Sequence, residues 1–351
     1  MKLYISTVMA LMIGLNAVAQ YRPDILGDGF EQLTIELQPD YSGEICATLV
    51  RHTPLVESSS AVLYIHGYND YFFQREMAER FVDSRYNFYA LDLRKYGRSH
   101  RTGQTLFEVR EMSEYFEEID AAIEQIRSEG MKHIVLMSHS TGGLTTSLYC
   151  AARGADVGVD AMILNSPFLD MNLGEFTETL LVPMVSAVGA ILPDWVIFQS
   201  ESSCYFESLD SSHHGEWSYD TTLKLPNMNP TTAGWIRAIH RGQMALQRGV
   251  EIEIPILLMY SDRSAGGSEW SPEFQYCDTV LDVADIAKYG SQLGENVTHA
   301  EIAGGVHDLI LSSPDVRERA YNTIFGWLER INLESCSGSC TCPSTDSATS
   351  F

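Results

Sequence analysis

An α/β fold with a mostly parallel, eight-stranded sheet covered by helices on both faces is predicted from three features of the chain. Short apolar segments recur at residues 32–37, 45–50, 61–66, 87–92, 133–138, 161–166, 255–260 and 297–303. From the third segment onward they alternate with helical patterns, which implies right-handed crossovers and helices on both sides of a parallel sheet. The stretch between residues 166 and 255 is far longer than a normal crossover, so a helical cap is inserted between the sixth and seventh strands.

The first two segments are separated by Pro39-Asp40-Tyr41-Ser42-Gly43, turn chemistry that suits an antiparallel hairpin. The third ends in Tyr64-Ile65-His66-Gly67-Tyr68-Asn69-Asp70 and the fourth in Asp92, followed by the charged turn Leu93-Arg94-Lys95-Tyr96-Gly97-Arg98-Ser99. Asp92, Arg94, Gly97, Arg98 and Ser99 are read as bracing that turn, with no catalytic role. Glu108 to Ser128 repeats at helical spacing, with Val109, Met112, Tyr115, Ile119, Ile123 and Ile126 on one face. Within the cap, Leu180 to Phe198 is almost continuously apolar. Pro183, Pro193 and Asp194, and a position between strands of one sheet, argue for a pair of cap helices rather than a membrane span. A helix from Thr231 to Arg248 returns the chain to the core. No internal repeat is visible.

Residues 1–19 carry Lys2, an apolar stretch from Val8 to Leu15 and Ala17-Val18-Ala19 ahead of Gln20, the pattern of a secretory signal cleaved near Ala19. Export to a periplasm or the medium is the expectation. The divisions expected are a signal at 1–19, core at 20–169, cap at 170–253, core again at 254–332 and a flexible Cys/Ser-rich tail at 333–351. A formal net charge of −24 opposes nucleic acid and anionic membranes as partners, and stable membrane insertion is not expected. The chain has 7 cysteines; an odd number in an oxidising compartment leaves at least one thiol without an intramolecular partner. The Cys336, Cys340, Cys342 cluster lacks a following histidine and reads as tail rather than metal site.

His133-Ile-Val-Leu-Met-Ser-His-Ser140-Thr-Gly-Gly143 is an apolar β-type run that stops at a serine between small residues. A nucleophile lifted on a strained strand-to-helix corner needs small neighbours two positions to either side. Ser138 and Gly142 stand there, Ser138 adding one hydroxymethyl group where glycine is usual. Alone, such a run marks only a turn; the order nucleophile, acid, histidine, each just past its own strand, corroborates Ser140. Backbone N–H groups of Tyr68 and Thr141 are the expected oxyanion donors. Asp262, directly after the seventh strand, is the expected acid, with Asp278 and Asp282 as rivals. His307, on the Gly304-Gly305-Val306 loop after the eighth strand, is the expected general base. His139 is expected to point elsewhere, and His213-His214 reads as a solvated turn. Neither a metal nor a cofactor is expected.

His66-Gly67, Asp92-x-Arg94-x-x-Gly97-x-Ser99, Ser138-x-Ser140-x-Gly142, Asn165-Ser166-Pro167-Phe168, Ser261-Asp262 and Gly304-Gly305-Val306-His307-Asp308 together resemble the serine aminopeptidase-like, monoacylglycerol lipase and lysophospholipase group of α/β-hydrolases. The resemblance implies the α/β-hydrolase fold, Ser140, Asp262 and His307 as a triad, and Tyr68 and Thr141 as oxyanion donors. It also implies cleavage of a small-molecule carboxylic ester, lipophilic in the manner of a monoacylglycerol or lysophospholipid, through an acyl-enzyme. Leu181, Met184, Val188 and Trp195 of the cap are the expected substrate contacts, although such side chains can equally pack the cap on the core. One alternative is an amidase or aminopeptidase using Glu175, Glu178 or Glu201 to hold an amino terminus. Another is a non-catalytic ligand-binding protein, for which a complete serine, acid and histidine set would be superfluous.

Overall fold

The computed structural model describes residues 20–52, 58–174, 176–198, 203–226 and 231–337. The expected signal segment, Glu175, Glu201 and the tail beyond residue 337 lie outside the described residues. In chain order the strands are β1 (Arg22–Pro23), β2 (Phe30–Glu36), β3 (Cys46–His52), β4 (Ser60–Ile65), β5 (Asn87–Asp92), β6 (His133–His139), β7 (Ala161–Asn165), β8 (Val196–Phe198), β9 (Thr231–Thr232), β10 (Ile256–Ser261) and β11 (Val297–Ile302). All but β8 and β9 form one sheet of nine strands, ordered β1-β2-β3-β5-β4-β6-β7-β10-β11. Eight of the nine fall where the apolar segments put them; β1 adds two residues to the edge, antiparallel to β2. β2, β3 and β5 pair antiparallel, and from β5 to β11 every neighbour is parallel.

The central strands are apolar throughout because both faces are covered. The helices are α1 (Arg75–Asp83), α2 (Phe116–Ser128), α3 (Thr141–Arg153), α4 (Val182–Gly189), α5 (Cys204–Leu209), α6 (Ala233–Leu246), α7 (Val283–Gly290) and α8 (Pro314–Ser337). Ala61, Leu63 and Ile65 of β4 face a core built with Ile119 and Ile126 of α2, Leu144 and Tyr149 of α3 and Ile286 of α7. Val62 and Tyr64, one residue out of phase, face Met77 and Phe81 of α1 and Tyr321, Ile324 and Trp327 of α8. That alternation is the period-2 geometry of a strand.

Three elements differ from expectation. The second helix starts at Phe116, not Glu108: Glu111 and Glu114 form a reciprocal capping box around a 3₁₀ turn at Met112–Tyr115, which fixes the entry to the helix. The apolar run Leu180–Phe198 is one helix and one strand rather than two helices, because β8 leaves the run to pair with β9. Finally, α8 continues to Ser337, five residues into the segment expected to be tail. Among the described residues no helix is long and apolar enough to cross a membrane.

Candidate active site

β6 ends at His139, and Ser140 takes φ 52° and ψ −119° before α3 begins. A non-glycine residue in this region stores about 1–3 kcal/mol, held here by the bonds around it. The Ser140 N–H donates to Asn165 O at 3.1 Å, and Ser140 O accepts from Gly143 N at 2.8 Å and Phe168 N at 2.9 Å. Gly142 is obligatory, since a Cβ there would lie 2.4 Å from His66 O. Ser138 fits without crowding the corner: its hydroxyl turns into α3 and lies 2.7 Å from Thr146 Oγ1.

His307, on the loop after β11, is 2 % exposed. Ser140 Oγ–H donates to its Nε2 at 3.0 Å, and its Nδ1–H donates to Asp278 Oδ2 at 2.8 Å. The acid in this line is therefore Asp278, and the expectation of Asp262 is corrected. Asp262 is exposed and accepts the N–H of Gly304 at 2.7 Å, tying the two loops together at their base. After β10 the chain makes an excursion through residues 263–277 and returns by a parallel bridge between Ser264 and Asp278, so the later carboxylate arrives beside the strand end. Asp278 is fully buried, and its Oδ1 accepts the N–H groups of Val280 and Leu281, both at 2.8 Å. Those bonds aim Oδ2 at the imidazole. The apolar neighbours Cys277, Val280 and Leu281 were the available sign that this aspartate, unlike Asp262, is drawn inside.

Tyr68 and Thr141 both line the cavity beside Ser140. Thr141 opens α3, so its N–H has no partner inside the helix and sits at the positive helix end. Gly67 lets the turn after β4 come close: a Cβ there would lie 3.0 Å from Ser140 Cβ. Asp92 stabilises the same region, accepting from Phe72 N at 2.9 Å and from Arg98 N and Nη1 at 3.0 and 2.8 Å. His139, expected to point away, is on the cavity wall with its ring 4.7 Å from that of His307. Its Nδ1–H donates to Asn165 O at 3.1 Å, and burial holds its pKa below the usual imidazole value.

The cavity encloses about 160 Å³. Tyr68, Phe168, Leu225, Trp235 and Val280 make its apolar wall; Asn69, Asp70, Ser203 and Lys224 make a polar end. None of the four cap residues expected to touch substrate lines it. Leu181, Met184 and Trp195 are 43, 58 and 55 % exposed, and Val188 is half-buried on α4. The helix buries Val182, Ser186 and Gly189 instead, small enough to let it lie close on α6, and its larger side chains are left on other faces. The cavity's cap wall comes from Ser203, Tyr205, Phe206, Lys224, Leu225 and Trp235, of which only Trp235 stood out in the sequence, as part of a helix face.

Among the described residues no group of three or more His, Cys, Asp or Glu side chains could hold a metal. His213 is turned to Asp210 and His214 stacks on Trp270.

A hydroxyl, an imidazole and a carboxylate in hydrogen-bonding line, at the end of a strand and beside the first turn of a helix, can carry out acyl transfer. The model of the family described as "Serine aminopeptidase, S33" matches residues 57–265, more than half of the chain. The chain belongs to this family of α/β-hydrolases. The matched span of the hydrolase contains Ser140 and ends before Asp278 and His307. Among solved structures, a monoacylglycerol lipase of Paleococcus ferrophilus is similar with a TM-score of 0.60 at 17 % identity, over 81 % of this hydrolase and 98 % of the lipase. A soluble variant of monoglyceride lipase from Saccharomyces cerevisiae gives 0.62 at 14 %, over 85 and 96 %. A carboxyl esterase from Bacillus coagulans gives 0.60 at 14 %, over 86 and 98 %. At these identities the likeness is one of fold. Curated proteins show no sequence match.

Proposed function

We propose that this hydrolase cleaves carboxylic esters through an acyl-enzyme on Ser140. The observation that carries the reading is the unbroken line Ser140 Oγ, His307 Nε2, His307 Nδ1, Asp278 Oδ2, at 3.0 and 2.8 Å, opening on a cavity beside the N-terminus of α3. In the first half-reaction Ser140 Oγ bonds to the ester carbonyl carbon while its proton passes to His307 Nε2. The carbonyl oxygen becomes an oxyanion held by the N–H groups of Tyr68 and Thr141. Collapse breaks the bond to the alcohol oxygen, which takes the proton from His307. Water repeats the sequence, releasing the acid and restoring Ser140. Asp278 keeps the proton of the neutral imidazole on Nδ1 and stabilises the imidazolium.

The cavity favours a small acyl or alcohol group, since about 160 Å³ is close to the space that holds a single benzene-sized ligand. With Leu181, Met184, Val188 and Trp195 outside it, the case for a long lipophilic chain in this cavity loses its main support. An aminopeptidase reading needs a free carboxylate for the substrate ammonium. Among the described residues Asp70 is the carboxylate that lines the cavity, and it already accepts from Lys224 Nζ at 2.8 Å, which favours esters over aminoacyl substrates. The test is turnover of p-nitrophenyl esters from acetate to decanoate beside aminoacyl anilides, with labelling by a fluorophosphonate. The expected result is fastest hydrolysis at two to four acyl carbons, label on Ser140, and loss of both in Ser140→Ala. Preference for anilides, or no labelling of folded protein, would overturn the reading.

A further inference from the structure

We propose that cap residues 220–225 are a positioning clamp for the oxyanion turn, with Asn69 as its principal residue, so that Tyr68 N–H is aimed only while the cap is seated. The inference rests on the ester-hydrolase reading. Three consecutive residues immediately after Tyr68 are each bonded to this cap segment. Asn69 Nδ2–H donates to Leu225 O at 2.9 Å and Asn69 Oδ1 accepts from Leu225 N at 2.8 Å, an amide pairing that imitates a strand ladder between a side chain and the cap backbone. Lys224 Nζ donates to Asp70 Oδ1 at 2.8 Å, with only 8 and 2 % of the two side chains exposed. The hydroxyl of Tyr71 accepts from Asp220 N at 2.9 Å.

On the other side, the Tyr68 ring lies 4.7 Å from that of Trp235, which follows β9 in the cap, and 5.2 Å from that of Phe107 in the core. The turn is thus gripped along its length by two cap segments. Asn69 takes φ 49°, a left-handed conformation that asparagine tolerates better than most residues, so the peptide between Tyr68 and the clamp has one orientation. A buried ion pair is a poor means of gaining stability, because desolvation offsets most of its attraction. Lys224 with Asp70 is better understood as fixing register between cap and turn. An oxyanion donor acts only if held where the charge develops, which makes alignment of this turn a determinant of the rate step rather than of substrate affinity.

Asn69→Gly is the decisive variant, because glycine keeps the left-handed backbone without strain and removes the amide that pairs with Leu225; any loss of its cavity contact with substrate is read separately, in KM. We expect kcat on p-nitrophenyl butyrate to fall about 10-fold or more, within the loss seen when an oxyanion donor is removed outright, with KM changed by less than about 3-fold. The affinity for butyl trifluoromethyl ketone, which forms a tetrahedral oxyanion on Ser140, should weaken by the same factor as kcat/KM. A structural role alone would lower the melting temperature and leave that affinity alone. The double variant Asp70→Asn/Lys224→Met, which removes the pair without stranding a charge, should move both quantities in the same direction and serves if Asn69→Gly does not fold. Unchanged kcat with unchanged ketone affinity in either folded variant overturns the clamp, while Ser140-dependent turnover in the wild type leaves the esterase reading standing. Wild-type turnover that survives Ser140→Ala removes both.

Discussion

Asp278 is held towards the imidazole because its Oδ1 is occupied by two backbone N–H groups at 2.8 Å, leaving Oδ2 for His307 Nδ1. Asp262 lies at the strand end named by the usual order of the three groups, yet its carboxylate is taken by Gly304 N–H. Asp278→Asn should therefore lower kcat/KM on p-nitrophenyl butyrate by about 10⁴-fold, the cost of mis-setting the imidazole tautomer in such sites. Asp262→Asn should cost less than about 5-fold, since an asparagine oxygen can still accept from Gly304 and no contact with His307 is lost. Steady-state kinetics of the two purified variants separates them. The positions of Ser140 and His307 were legible in the sequence because each follows its strand directly beside glycines, Gly142-Gly143 after the serine and Gly304-Gly305 before the histidine. The acid was not, because the chain returns to the strand end only after an excursion closed by the Ser264–Asp278 bridge, a long-range pairing whose local trace is no more than the apolar Cys277, Val280 and Leu281 around Asp278.

At the scale of the elements, the strands were legible and the cap was not. Strands buried on both faces are unbroken apolar runs, whereas the cap's apolar run divides between α4 and β8, and what divides it is pairing with Thr231–Thr232 of β9, a long-range event. The side chains that looked like a pocket wall point elsewhere. Leu181→Ser and Met184→Ser, at exposed positions of the cap, should leave kcat/KM on a soluble short ester within about 2-fold, as surface changes usually do; the same assay checks it.

Where the chain enters the cap, burial and then the nearby Glu178 push the Asp170 carboxyl up to about 6, against the lowering effect of its bond from Gln247. The folded protein thus holds this proton more tightly than the unfolded chain, whose value is about 3.9. Its contribution to stability is full below about pH 4 and is lost as pH rises through about 6. Asp170→Asn should gain thermal stability relative to wild type across that interval and keep a constant advantage above it. Melting curves of both proteins from pH 4 to 8 would show this, and a difference independent of pH would contradict it.

For the molecule as a whole, the sheet is what assembles the chemistry. β4, β6, β7, β10 and β11 are successive parallel neighbours, so the oxyanion turn, Ser140 and the loops carrying Asp278 and His307 all emerge at the same edge, the carboxyl ends where open α/β sheets place their ligands. The cap closes over that edge and contributes Lys224, Leu225 and Trp235 to the cavity. Residues far apart in the chain become one site through strand order, with the Ser264–Asp278 bridge bringing the acid back to the end of β10. Covalent catalysis by Ser140 can be read by rapid-quench peptide mass spectrometry during turnover of p-nitrophenyl butyrate. A butyryl group should accumulate on the peptide containing Ser140 in wild type and be lost in His307→Ala. Robust turnover with that peptide unmodified at every quench time, and still present in Ser140→Ala, would contradict it.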